Sequence, residues 1–303
     1  MKLKIGTRGS KLAVAQSSWI RKKILENQPE LQVELVIIST KGDRIIDSPL
    51  AKIGGKGLFV KEIEEELLDK NIDLAVHSIK DVPAELMEDL YIPVFPERED
   101  PRDALISVKY KGLEELPSGS KVGTGSLRRS SQLLNQRPDL EIVPIRGNVD
   151  TRVKKLESGD FQAVILAAAG LRRLGMSARI SQYLSPGSIL PAVGQGALGL
   201  EIRRDDSRTL KLISFLNHRD TEITVRAERA FLGRLEGGCQ VPIAGYAVVN
   251  GDELVIEGMV AELDGSIIIR DSVRGSANTP EEHGIKLADK LLSSGADRIL
   301  DSI

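Results

Sequence analysis

The chain has 303 residues, a formal net charge of -2 at pH 7, 41% hydrophobic residues and 28% charged residues, the balance of a globular chain with room for about two or three domains. Aromatic residues make up only 3%, too few to furnish base-stacking platforms, so nucleic acid is not an expected partner. The single cysteine excludes an internal disulfide, and the three histidines, His77, His218 and His283, lack the spacing of a zinc site.

Residues 4–7 read as a strand, entered without the apolar core or cleavage site of a signal peptide. No apolar run approaches the ~20 residues that span a bilayer, so a cytoplasmic protein without membrane contact is expected. Ser10 is placed to cap a helix that carries Leu12, Ala13, Ala15, Gln16, Trp19, Ile20 and Ile24 on or near one face. A β-rich run covers 33–38. A helix over 57–68 turns Leu58, Ile63 and Leu67 inward, and a short buried strand follows over 73–76. This order predicts a parallel or mostly parallel sheet.

The pattern then restarts. A strand ends at Val122 and Gly123, a helix covers 126–135, a strand 141–145, a helix 149–156 and an apolar strand 163–167. Two α/β units in tandem predict two lobes with a cleft between them. The charged run 97–103 suits a crossover from one lobe to the other. The stretch 187–199, rich in Gly and Pro, suits a return. The last part differs: Asn250-Gly251 is a type I′ hairpin signal between 246–249 and 254–260. Asp264-Gly265 marks a second turn into 267–269, and a helix follows over 280–292. The expected fold is α/β: a first lobe from 1–98 and 195–216, a second from 99–194, and a small α+β C-terminal domain, 217–303, with a three-stranded antiparallel sheet.

The small net charge hides an asymmetry. From Lys121 to Arg173 there are ten Lys and Arg against five Asp and Glu, which points to a site for a polyanion. Cations recur beside Gly, Ser or Thr on strand-to-helix turns: Arg8 with Ser10, Lys56 after two glycines, Thr124 and Ser126 with Arg128 and Arg129, Arg146 with Arg152, and Arg172 with Arg173. Helix N-termini supply unpaired N–H groups, hydroxyls add donors, and guanidinium binds carboxylate through two hydrogen bonds. One such run is commonly a solvated face. Repetition at strand ends predicts a cleft for a ligand with many carboxylates or phosphates. Lys56 is followed by Gly57, not by Ser or Thr, which argues against nucleotide hydrolysis and for a mobile anion-binding loop.

Two more residues carry chemistry. Asp81, in His77-Ser78-Ile79-Lys80-Asp81-Val82-Pro83, follows a buried strand. There a carboxylate can move a proton or stabilise a developing cation, with Lys80 beside it for anionic groups; a turn or cap is the alternative. Cys239 lies in Leu235-Glu236-Gly237-Gly238-Cys239-Gln240-Val241-Pro242. The glycines have the look of a helix C-cap and the proline stops the helix. The thiol is thus presented as one nucleophile or one attachment point; a buried structural cysteine is the alternative.

Together these runs resemble the porphobilinogen deaminase (hydroxymethylbilane synthase) family. The matching segments are 51–62, 77–83, 97–103, Ser126-Leu127-Arg128-Arg129, Arg146-Gly147-Asn148, 190–196 and 235–239, in the family's order over essentially the whole chain. The resemblance implies head-to-tail condensation of four porphobilinogen molecules into hydroxymethylbilane, with release of ammonia, on a dipyrromethane primer held as a thioether at Cys239. It implies Asp81 as the catalytic carboxylate, stabilising the cation left when ammonia departs. It implies Arg8, Ser10, Lys80, Thr124, Ser126, Arg128, Arg129, Arg146, Arg152, Arg173 and Gln195 as cofactor- and substrate-binding residues. Lys52, Lys56 and Phe59 fall in the family's mobile loop. The implied fold has three domains, the first two similar to periplasmic binding proteins. With no coiled coil or long apolar stripe left over, a monomer is expected. A two-lobed anion-binding protein would share the lobes and arginines but not the Cys239 loop, Asp81 or the third domain. A thiol-redox enzyme would need a second cysteine or a basic partner for the thiol.

Overall fold

A computed structural model of the chain describes residues 2–41, 60–83, 85–236 and 241–302. Lys52, Lys56, Leu58, Phe59 and Cys239 lie outside the described residues.

The first elements are β1 (Lys2–Arg8), α1 (Lys11–Asn27), β2 (Gln32–Ile38), α2 (Lys61–Leu68), β3 (Leu74–Ser78) and β4 (Leu90–Val94). The second set is β5 (Asp103–Ile106), β6 (Lys121–Gly123), α3 (Leu127–Gln136), β7 (Glu141–Val143), α4 (Val149–Glu157), β8 (Ala163–Ala167), α5 (Ala168–Arg173) and β9 (Gln182–Leu184). Then come β10 (Leu198–Arg203), α6 (Ser207–Ile213) and α7 (Arg219–Arg234), followed by β11 (Ile243–Asn250), β12 (Glu253–Ala261), β13 (Ile268–Ser276), α8 (Pro280–Leu291) and α9 (Asp297–Asp301).

Among the described residues the strands form two five-stranded sheets and one three-stranded sheet. The first runs β2-β1-β3-β10-β4 and the second β7-β6-β8-β5-β9. Each opens with three parallel strands and puts an antiparallel strand fourth, β10 in one and β5 in the other. The two α/β lobes thus repeat one sheet order. The third sheet, β11-β12-β13, is antiparallel throughout. By compactness the chain divides into two units, Met1–Glu99 with Ala197–Glu222, and Asp100–Gly196 with Ile223–Ile303.

In the first unit Ser10 caps α1 as expected, its Oγ accepting from the Ala13 N–H at 3.2 Å. The buried stripe of α1 is Gln16, Ser17, Ile20 and Ile24. Trp19, expected on that face, is exposed, because it stands about 100° around the helix from Ile20. Strand β3 is apolar at successive positions because both of its faces are covered. Leu74 and Val76 pack with Leu3, Ile5 and Ile20, while Ala75 packs with Ile63 and Leu67 of α2.

The second unit repeats this logic in β8. Ala163 and Ile165 join one cluster and Val164 and Leu166 the other. The third sheet belongs to this unit and packs on Phe231 of α7, which is fully buried with Leu254, Ile256 and Leu287. Its hairpin departs from expectation. The ladder extends to the Asn250–Glu253 pair, so the turn is Gly251-Asp252. Only Gly251 has positive φ (64°), whereas a type I′ turn needs it at both central residues. Gly265, in the second turn, cannot be another residue. Its φ is 74°, and a Cβ there would lie 2.2 Å from the Ser131 carbonyl oxygen of α3. Past the end of α7, Glu236 has left-handed backbone (φ 51°); the expected glycine cap at Gly237 and Gly238 lies outside the described residues. Among the described residues no helix is long and apolar enough to cross a membrane.

Candidate active site

In the first unit the expected residues gather at the C-terminal edge of the parallel strands, where open α/β sheets bind ligands. Arg8 is the last residue of β1, Ser10 caps α1, and Lys80 and Asp81 lie in the single 3-10 turn after β3. Strands β1 and β3 are neighbours, so these side chains share one end of one sheet. The turn is pinned from beneath. Ile79 is buried and its N–H donates to the Ala197 carbonyl at 3.1 Å. Gln16 Nε2 donates to Ser78 Oγ at 2.9 Å. Asp81 itself is exposed.

Below this edge lies a buried cluster that the sequence reading passed over. His77 Nε2 is 2.7 Å from Glu201 Oε2, and Glu64 of α2 joins them. Burial, then the neighbouring Glu201, pushes the Glu64 carboxyl up to about 7, against the pull of His77.

In the second unit Thr124 follows β6, is buried, and accepts the Ser126 N–H at 3.2 Å. Ser126 stands at the N-cap of α3, but its side chain takes no part in capping. Arg128 and Arg129 come next, and both are buried. Both reach Asp103, the first residue of β5. Arg128 Nη1 donates to Oδ2 at 2.7 Å, and Arg129 meets Oδ1 through Nε at 2.9 Å and Nη2 at 2.7 Å. Gln195 completes the cluster, with Nε2 donating to Asp103 Oδ1 at 3.0 Å and to the Pro101 carbonyl at 2.7 Å. Its Oε1 accepts from Arg129 Nη2 at 3.4 Å.

Burial alone would raise the Asp103 carboxyl; the two guanidiniums overcome it and hold the group well below the usual carboxylate range. Burial draws the Arg128 guanidinium down, against Asp103 and with Arg129. Two guanidiniums here face one carboxylate. The Nε of Arg128 is buried with no hydrogen-bond partner among the described residues. Buried donors are rarely left unused, and a buried excess charge calls for a counter-ion. One more carboxylate oxygen satisfies both demands, so the residues present fit a carboxylate-bearing cofactor.

The remaining arginines are half-buried. Arg146 stands on the turn from β7 into α4 and Arg152 in the first turn of α4, where its Nε donates to the Gly147 carbonyl at 2.8 Å. Arg173, at the end of α5, donates from Nη2 to the Gly196 carbonyl at 2.8 Å, next to Gln195. The structure thus joins Arg128, Arg129 and Gln195 directly and brings Arg173 to the same segment. It adds Asp103, whose run 97–103 reads in sequence as a crossover and a family match, with no site role for Asp103 itself. The available signal was a lone Asp at the head of the apolar strand Ala104-Leu105-Ile106.

The family description "porphobilinogen deaminase, dipyromethane cofactor binding domain" matches residues 3–211, and the family's C-terminal domain matches residues 222–293. The chain belongs to the porphobilinogen deaminase family. Its relatives in that family include the porphobilinogen deaminase of Nitratidesulfovibrio vulgaris (strain DP4), 55% identical, with 99% of this chain and 96% of that one covered. The porphobilinogen deaminase of Syntrophotalea carbinolica is 54% identical, again with 99% and 96% covered. Among solved structures, the periplasmic aliphatic sulphonate binding protein from Escherichia coli gives a TM-score of 0.41 at 17% identity, covering 78% of this chain and 70% of that one. That likeness is too slight to carry weight; the lobes of this deaminase-family chain are defined by its own sheet orders.

Proposed function

We propose that the chain condenses four porphobilinogen molecules head to tail on a dipyrromethane primer held as a thioether at Cys239, with one ammonia released at each step, and that water then cleaves the new tetrapyrrole from the primer as hydroxymethylbilane. The supporting observation is the buried positive excess at Asp103, Arg128, Arg129 and Gln195, with its unused Arg128 Nε, in a chain of this family. Arg128 and Arg129 hold the primer carboxylates. When bound, the dipyrromethane supplies the first nucleophilic ring carbon and a fixed tether.

Asp81 works at the other lobe. Ammonia leaves the aminomethyl carbon of porphobilinogen with the C–N electron pair, and the positive charge left behind is shared with the pyrrole nitrogen. A carboxylate beside that N–H stabilises the charge as it forms. Bond formation to a ring α-carbon then releases one proton from that carbon, and Asp81 receives it or passes it on. Lys80, Arg8 and Ser10, on the same sheet edge, bind the acetate and propionate of the incoming ring. Arg146, Arg152 and Arg173 take the carboxylates of further rings, with Thr124 and Ser126 adding hydroxyls. The enzyme acts as a monomer in the cytoplasm.

The test is the intact mass of the purified chain, followed by single-turnover ammonia release from porphobilinogen. The reading requires a covalent increment of two pyrrole units and ammonia release. A chain at its bare sequence mass that still binds porphobilinogen without releasing ammonia would instead be an anion-binding protein.

A further inference from the structure

Two backbone N–H groups converge on one buried carboxylate that the mechanism does not use. Glu228, on α7, is fully buried. Its Oε2 accepts from the Gly194 N–H at 2.7 Å and its Oε1 from the Ala247 N–H at 2.8 Å. Ala247 lies on β11, and the neighbouring Gly245 N–H donates to the Pro191 carbonyl at 3.1 Å. Residues 190–196 are therefore held along β11, with Glu228 as the clasp.

The same short segment receives three of the arginines. The Leu190 carbonyl accepts from Arg128 Nη1 at 2.7 Å, Gln195 Oε1 from Arg129 Nη2 at 3.4 Å, and the Gly196 carbonyl from Arg173 Nη2 at 2.8 Å. On the other side, α7 ends at Arg234 and the chain runs directly on to Cys239. Glu228 thus stands between the helix that leads to the cysteine and the segment that orients the arginines. Packing alone does not require a charge here, since Phe231, on the same helix, supplies the apolar anchor. A fully buried carboxylate is tolerated where its oxygens are hydrogen-bonded, as both are here.

We propose that Glu228 is a positioning residue that registers α7, the helix preceding Cys239 in the chain, against the 190–196 segment, so that a primer tethered at Cys239 meets Arg128, Arg129 and Arg173. The proposal rests on the Cys239 reading above. Glu228 acts through other groups and touches neither primer nor substrate. Glutamine cannot replace it, because its amide has one acceptor, and its NH2 would face a second N–H.

The experiment measures covalent primer occupancy by intact mass in folded Glu228→Gln, with Phe231→Leu as a destabilised control on the same helix. Loss of one hydrogen bond to a charged group predicts occupancy lower by at least about tenfold in Glu228→Gln, while Phe231→Leu loads as the parent does. Glu228→Asp, which keeps both oxygens and the charge, is expected to recover part of the loss. Equal loading of the parent and Glu228→Gln overturns the proposal, as does equal loss in Phe231→Leu. If Glu228→Gln does not fold, Glu228→Asp decides: full loading, or failure to fold, overturns a positioning role. A parent without the increment sinks the Cys239 reading and this inference together, whereas a loaded parent with a loaded Glu228→Gln sinks this inference alone.

Discussion

Asp103 accepts a 2.7 Å hydrogen bond from Arg128 across 25 positions of sequence, and the pair is closed to solvent. Removing one member of such a buried pair leaves charge uncompensated, at a cost of about 3–5 kcal/mol. Asp103→Asn is expected to lower the urea midpoint accordingly, because two guanidiniums then face no carboxylate. The effect has a pH signature. The Asp103 carboxyl is depressed on folding, so its contribution is complete above the ordinary carboxylate range and fades as pH falls through its folded value. An unchanged midpoint near neutral pH would show that water, not Asp103, balances the arginines.

Glu64 predicts the opposite slope. Its carboxyl is raised on folding to about 7, so the folded chain holds a proton that the unfolded chain has released. Its contribution is present at low pH and lost as pH rises from about 4.5 to about 7, on the order of 3 kcal/mol in all. Glu64→Gln, neutral at every pH, should melt with the parent near pH 4.5 and above it at pH 8. Parallel melting curves for the two proteins across that window would remove Glu64 as a titrating group.

Asp81→Asn separates a catalyst from a turn residue. Asparagine keeps the shape and serves nearly as well in a turn or cap, but it lacks the charge that a forming cation needs. Single-turnover ammonia release by primer-loaded protein is expected to fall at least ~10²-fold, with porphobilinogen binding much less affected. A near-normal rate would take Asp81 out of the chemistry.

Cys239→Ser should give a folded chain at its bare sequence mass, since a hydroxyl is a far weaker nucleophile than a thiolate. Denatured, washed variant should also fail the pyrrole colour reaction with Ehrlich's reagent. A positive reaction would place the attachment on another residue.

The sequence disclosed what local chemistry controls. Ser10 announced its helix because a cap needs only the next turn. The boundaries of β8 were legible because a strand buried on both faces is an unbroken apolar run. Helical i, i+4 spacing also named Ile63 and Leu67 as inward residues. Non-local pairings stayed hidden. Arg128 and Arg129 read as ligand-facing cations, and nothing within ten residues of them indicates that Asp103 takes both. Glu64, Glu201 and Glu228 look like ordinary surface charges in sequence; only the folded chain shows each one buried with a partner from another element. Trp19 was misplaced because a large aromatic weighs heavily in a stripe that polar Gln16 and Ser17 in fact complete. The hairpin turn slipped by one residue because Asn250 pairs in the ladder, leaving Gly251 to turn.

Strand β10 sits between β3 and β4, yet it is separated from β4 in the chain by the whole of the second sheet. During synthesis the first lobe emerges early but lacks its fourth strand until residue 203 has left the ribosome. Strands β5 to β9 are contiguous and complete their sheet sooner. The lobe translated first is therefore the last to close, and until then β3 and β4 each present an open strand edge to other nascent chains. A nascent chain that has emerged to a point between residues 184 and 198 carries all five strands of the second sheet but only four of the first.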